Sequence, residues 1–198
     1  MNTALLLAMA GFALVASITP GPVNSLALAS GVHHGFRRSL GYVTGATVGF
    51  TLLLLLAGVG MAEAVARLPL LDTVMRILGT GFMLYLAWRL WRADGGMAAT
   101  EVASPPSLWA GASLQWLNPK AWIAAIAGMG AYGLAGGMAT VLTFTGLYFA
   151  ICYVSIALWA YAGAQLSRAL SEPGRMRMFN RAMAALLALS AFAMLAGG

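Results

Sequence analysis

The sequence predicts an all-α integral membrane protein of about six transmembrane helices, arranged as two inverted three-helix repeats, with helices 1 and 4 broken at proline motifs. Three observations carry this reading. Of 198 residues, 61% are hydrophobic and 8% charged, with mean hydropathy +0.85, against roughly 25% charged residues in an ordinary soluble domain. The apolar residues fall into runs of the ~20 residues that cross a bilayer. Two of these runs are interrupted, at matching places, by prolines that a helix cannot absorb.

In chain order the expected spans cover 3–32, 39–62, 69–91, 108–131, 138–166 and 175–196. The first lacks the positive flank of a cleaved signal and is too long for its apolar core, so it is read as a retained span. The third carries Asp72 and Arg76 in its first turns, four residues apart and able to pair on one helix face. It closes on Tyr85, Trp88 and Trp91 with Arg89 and Arg92, an aromatic belt with snorkelling cations. Between the third and fourth runs lies the only notable polar interval, residues 94–107, with Pro105-Pro106 near its end. It reads as a cytoplasmic linker joining repeat one (1–93) to repeat two (108–198) within a single transmembrane domain. An odd number of spans per half gives the halves opposite orientation.

The net charge of +6 does not point to nucleic acid, because the arginines lie at the ends of apolar runs rather than in a basic patch interleaved with aromatics. Arg37, Arg38, Arg89, Arg92, Arg168, Arg175, Arg177 and Arg181 all fall on one side of the expected topology, the cytoplasmic side by the positive-inside rule. Arg67 and Arg76 fall opposite, beside Glu63 and Asp72. Both termini then face outward. Cys152 is the single cysteine, so one chain offers neither a disulfide nor a cysteine-based metal site, and a small core residue is its expected role. His33 and His34, followed by Gly35 and two arginines, read as loop residues at the cytoplasmic surface with too few neighbouring ligands for a metal. Gly41, Gly45 and Gly49 form a small-xxx-small ladder for close helix packing, within the chain or across a homodimer.

The chemistry concentrates at the breaks, Thr19-Pro20-Gly21-Pro22-Val23-Asn24 and Trp116-Leu117-Asn118-Pro119-Lys120. Proline is favoured at the first position of a helix, so Pro22 and Pro119 each restart one. Asn118 is a favoured N-cap, and Thr19 or Gly21 is available to the first break. At a rise of about 1.5 Å per residue both breaks lie about 15 Å from the cytoplasmic ends of their spans. Two helix N-termini, with amides at Val23, Asn24, Lys120 and Ala121, would therefore converge near mid-membrane with the Lys120 ammonium, a setting for a carboxylate. Carbonyls near Ser17, Ile18, Leu114 and Gln115, helped by the Asn24 and Gln115 side chains, would receive an ammonium. A carboxylate and an ammonium on one small molecule describe an amino acid. No Asp or Glu lies deep in a span to balance a second positive charge. The bland alternatives are prolines that only kink their helices, a Lys120 that snorkels, and Asn24 and Gln115 as interhelical glue.

With these motifs and about 200 residues in six spans, the chain resembles the LysE/RhtB family of amino-acid exporters along essentially its whole length. The family's usual first motif runs Pro-Gly-Pro-Asn; here Val23 is inserted before Asn24, which turns the Asn by about 100° on the helix. The resemblance implies secondary export of small amino acids or derivatives across the cytoplasmic membrane, driven by the proton gradient, with no cofactor. Two other classes compete. An exporter of another small anion or a metal ion shares the architecture, though deep carboxylates or clustered Cys and His would mark a metal. An intramembrane enzyme would need a nucleophile with a base at one depth, and the spans supply no such pair.

Overall fold

The computed structural model describes residues 2–60, 69–93, 105–133 and 137–196, and every regular element in them is helical. Eight α-helices follow in order: α1 (Thr3–Ile18), α2 (Pro22–His34), α3 (Phe36–Gly58), α4 (Pro69–Arg92), α5 (Leu108–Trp116), α6 (Pro119–Gly128), α7 (Gly137–Leu166) and α8 (Pro173–Ala196). A single π-helical turn, Met129–Gly133, extends α6. The expected spans correspond to α1 with α2, α3, α4, α5 with α6, α7 and α8. By length and apolarity α3 and α7 each suffice to cross a membrane, and α1 with α2 does so as one span bent by 61°. Glu63, Arg67 and residues 94–104 of the expected linker lie outside the described residues, as do the side chains of Asp72 and Arg76.

Both prolines restart a helix as their chemistry requires: Pro22 is the first residue of α2 and Pro119 of α6. Gly35 alone turns α2 into α3, at φ +78°, where a side chain would be strained.

The packing is reciprocal between the halves. Helices α1 and α2 lie on α7, α5 and α6 lie on α3, α3 touches α7, and α4 pairs with α8. Glycine sets the closest of these approaches. A Cβ at Gly31 would stand 2.0 Å from the Ala160 carbonyl oxygen, and one at Gly163 would stand 2.1 Å from that of Leu28, so α2 and α7 meet backbone to backbone. Gly45 against Leu108 and Gly111 against Tyr42 do the same for α3 and α5. The ladder on α3 thus works within the chain at Gly45 and Gly49, while Gly41 faces open space.

The main core gathers Tyr42, Phe50, Leu54, Phe144 and Tyr148 between α3 and α7, with Met9 and Ala13 of α1 and Leu114 of α5. A second cluster joins Ala29 and Val32 of α2, Ala87 and Leu90 of α4, and Phe179, Met183 and Leu187 of α8. Outward, Leu14, Leu52, Ile123, Val154 and Phe192 are exposed on α1, α3, α6, α7 and α8. Apolar residues both inside and outside are what a lipid environment selects.

The arginine-rich ends are tied by contacts that the sequence only hinted at. Arg89 lies over Tyr85, Arg92 over Trp88, and Arg181 of α8 over Trp91 of α4, the last at 5.3 Å. His33 and His34 are not loop residues; they form the last turn of α2. His33 Nε2 pairs with Asn180 Oδ1 at 2.7 Å, and Asn180 donates to the Ala93 carbonyl at 3.1 Å. One buried asparagine thus joins three helices, and burial lowers the His33 pKa from 6.5.

Candidate functional site

The two breaks meet. Lys120 Nζ, at the start of α6, donates to the Pro20 carbonyl in the first break at 3.4 Å. A Cβ added to Gly21 would lie 3.5 Å from that ammonium, an ordinary contact, so the two breaks approach to van der Waals distance here. A cavity of about 50 Å³ lies at this junction, and Thr19, Gly21, Pro22, Val23, Asn24, Gln115, Asn118 and Lys120 line it. Pro20 contributes through its carbonyl, and Pro119 through the backbone start of α6. Val23, Asn24, Gln115 and Asn118 are buried, whereas Thr19, Pro20 and Lys120 are exposed at the cavity's rim.

The breaks satisfy their backbone differently from the sequence expectation. Asn118 caps α6 as expected: its Oδ1 accepts from the Lys120 amide at 3.1 Å, and its carbonyl from Ala121 at 2.9 Å. Those two amides are therefore occupied and do not face a ligand. Gly21 is the N-cap of α2 and has no side chain to give, so no such cap covers the Val23 and Asn24 amides. Thr19 is not that cap; it closes α1, its hydroxyl donating back to the Val15 carbonyl. The positive end of a helix is thus open on α2 alone, with the Lys120 ammonium beside it.

The carbonyls expected to be free are also engaged. Asn24 Nδ2 donates to Ser17 O at 2.8 Å and to Thr19 O at 2.9 Å, stapling the end of α1 to the start of α2. With both amide protons used, only Asn24 Oδ1 remains to offer. Trp159 Nε1 of α7 donates to Ile18 O at 3.1 Å, and Trp122 Nε1 of α6 donates to Trp116 O at 2.9 Å. Each break therefore has an indole N–H on a carbonyl that its interruption released. Sequence reasoning missed both tryptophans. The available signal was their position inside apolar runs, away from the interfaces that tryptophan favours.

Sequence reasoning also missed the far wall. Phe50, Tyr148, Cys152 and Ile156 join the lining, together with Ser17, which the sequence offered only through its carbonyl, bringing α1, α3 and α7 to the junction. Among the described residues, Lys120 is the only charged side chain in it.

Comparison with known proteins decides the class. The model of LysE type translocators matches residues 14–198. This chain belongs to the LysE family. It is 31% identical over 186 residues to the cysteine/O-acetylserine efflux protein of Salmonella typhimurium (strain LT2), covering 88% of this chain and 90% of that one. It is 30% identical over 196 residues to the protein of the same description in Escherichia coli (strain K12), covering 94% and 95%. No solved structure matches it. As a LysE family member the chain is a membrane transporter and not an enzyme.

Proposed function

We propose that the protein exports small neutral amino acids from the cytoplasm, as a secondary transporter of the cytoplasmic membrane drawing on the proton gradient. The observation that carries this reading is the contact of the Lys120 ammonium with the Pro20 carbonyl, which joins both breaks at one cavity. A substrate carboxylate sits between Lys120 and the uncapped amides of α2. Its ammonium then turns toward the oxygen atoms of Asn24 and Gln115. Among the described residues the lining has no carboxylate to receive a second positive charge, which favours neutral substrates. Cysteine and O-acetylserine, named for the relatives, are the first candidates.

The same reading takes the chain as six spans in two inverted repeats with both termini outside. It is supported by the reciprocal packing, in which each broken pair lies on the long helix of the other half, and by the two proline restarts. In proteoliposomes the purified protein should catalyse counterflow of cysteine or O-acetylserine. Lys120→Gln should reduce it by about tenfold or more, the loss of a charge-assisted contact, and Pro22→Ala should reduce it by loosening the fixed restart of α2, while the protein stays monodisperse. Full activity in both variants would sink the site assignment.

A further inference from the structure

A second cavity, of about 290 Å³, lies at the arginine-rich end of α4. It exists because α4 packs on α8 and touches α5 only lightly, which leaves a cleft bounded by α2, α4 and the start of α5. Its walls are apolar: Leu26 of α2, Phe82, Leu86 and Leu90 of α4, and Pro106 ahead of α5. Leu26 and Leu90 are buried, and Phe82 and Leu86 are half-buried. Among the described residues, Arg89 is the one charged side chain in the lining. It is exposed and lies over the Tyr85 ring, 5.9 Å from the centroid. The Ser107 hydroxyl, also in the lining, is spent on the Ala110 amide.

Tyr85, Trp88 and Trp91 are exposed around the same arginine, and exposed aromatics among cations mark the headgroup level of a bilayer. Phe82 lies seven residues earlier, about 10 Å deeper at the rise of an α-helix. The cleft therefore runs from a cation at headgroup level to an apolar floor at the depth of lipid tails. Among the described residues nothing balances the charge at its mouth. Arg38 of α3 and Arg89 both stand close enough to act electrostatically on His34, so cations gather there. The one carboxylate side chain among the described residues is Glu172, and Arg175 holds it at 3.1 Å.

We infer that this cleft is a binding site for an anionic phospholipid, its phosphate paired with Arg89 and one acyl chain laid along Leu26, Phe82, Leu86 and Leu90. A free anion would meet the charge and leave the apolar length empty. A zwitterionic headgroup would bring its own cation against Arg38 and Arg89. The arginine fork matches a phosphate with paired N–H donors, and basic pockets between membrane helices bind such headgroups. The cleft shares no lining residue with the cavity at the two breaks, so the site stands or falls independently of the exported solute.

The full chain, purified in a non-ionic detergent, should melt about 5 °C or more higher near saturation with dioleoylphosphatidylglycerol, and dioleoylphosphatidylcholine should give little of that shift. Arg89→Gln should raise the midpoint of the phosphatidylglycerol titration about tenfold, the loss of a charge-assisted contact. Ala110→Phe, which keeps the arginine and fills the cleft from α5, should weaken the response as well. Arg168→Gln, at an exposed arginine outside the lining, should leave it unchanged. Equal stabilisation by the two lipids, an unchanged midpoint in Arg89→Gln or Ala110→Phe, or as large a loss in Arg168→Gln overturns the site. A shift that inorganic phosphate alone reproduces overturns it in favour of a free anion. A response that appears only once Asp94 and Glu101 are replaced by Asn and Gln overturns it in favour of the chain's own 94–104 segment.

Discussion

Asn24 shows how much one side chain does at a broken helix. Its amide protons reach back across the break to two carbonyls of the preceding segment, a task that needs donors. Aspartate has the same shape and, when ionised, none. Asn24→Asp should therefore be worse than Asn24→Ala: both leave Ser17 O and Thr19 O without this donor, at roughly 1–3 kcal/mol each, and the aspartate also brings a carboxylate against them. A thermal unfolding series in detergent checks this order, and an Asp variant as stable as wild type would refute the staple. Asn24 serves the chain's own backbone with its protons. That assignment was not legible in the sequence. The motif announces a break, but which orphan carbonyl finds which donor depends on helices that arrive from elsewhere in the chain, as Trp159 of α7 does for Ile18.

Among the elements, the glycine contacts yield a comparison with its own control on α3. Gly45→Ala would set a Cβ 1.9 Å from the Leu108 carbonyl oxygen, so α3 and α5 must separate, whereas Gly41→Ala meets nothing within 4 Å. Overpacking of this kind costs about 1–3 kcal/mol; the open position should instead be neutral or gain up to about 1 kcal/mol of helix propensity. Equal melting temperatures for the two variants would overturn the packing described. The ladder itself was evident from its spacing. Which of its rungs bear load was not, because spacing fixes a helix face and not the neighbour on it.

The joint of α2, α4 and α8 should weaken as pH falls. His33 lies beyond the first expected span, and desolvation lowers its pKa from 6.5, outweighing the opposing bond to Asn180. His34 is lowered as well, first by burial and then by the charges of His33, Arg38 and Arg89. The folded state thus favours neutral imidazoles. Its stability is fully present above the unfolded value of about 6.5 and is lost as pH falls below it toward the folded value. Melting temperatures should drop between pH 7.5 and 5.5, and His33→Gln, which keeps a hydrogen-bonding group without titrating there, should flatten part of that slope. An unchanged slope would separate the joint from proton uptake.

For the whole molecule, the sequence supplied the class, the helical runs and the existence of two equivalent breaks, since all three follow from local rules: apolar length, proline chemistry and charge at run ends. It supplied eight side chains of the cavity lining because they sit in or beside the breaks. It did not supply Tyr148 or Cys152 as partners of those residues, for their place depends on α7 packing against the broken helices. The reading of six spans with outward termini has its own test. A reporter fused at either terminus should be accessible only from outside intact cells, and one inserted in the 94–104 segment only from within. The reverse pattern would invert the direction in which Lys120 and the arginine-rich ends are read.

Cys152 has a consequence of a different kind. It is the single thiol of the chain, it lines the cavity, and it is only 3% exposed. The wild-type protein therefore comes with one intrinsic attachment point, shielded in this conformation, and needs no cysteine removal before labelling. The rate at which a small thiol reagent reaches it should report how readily this cavity is entered, and a solute bound in the same space should slow it.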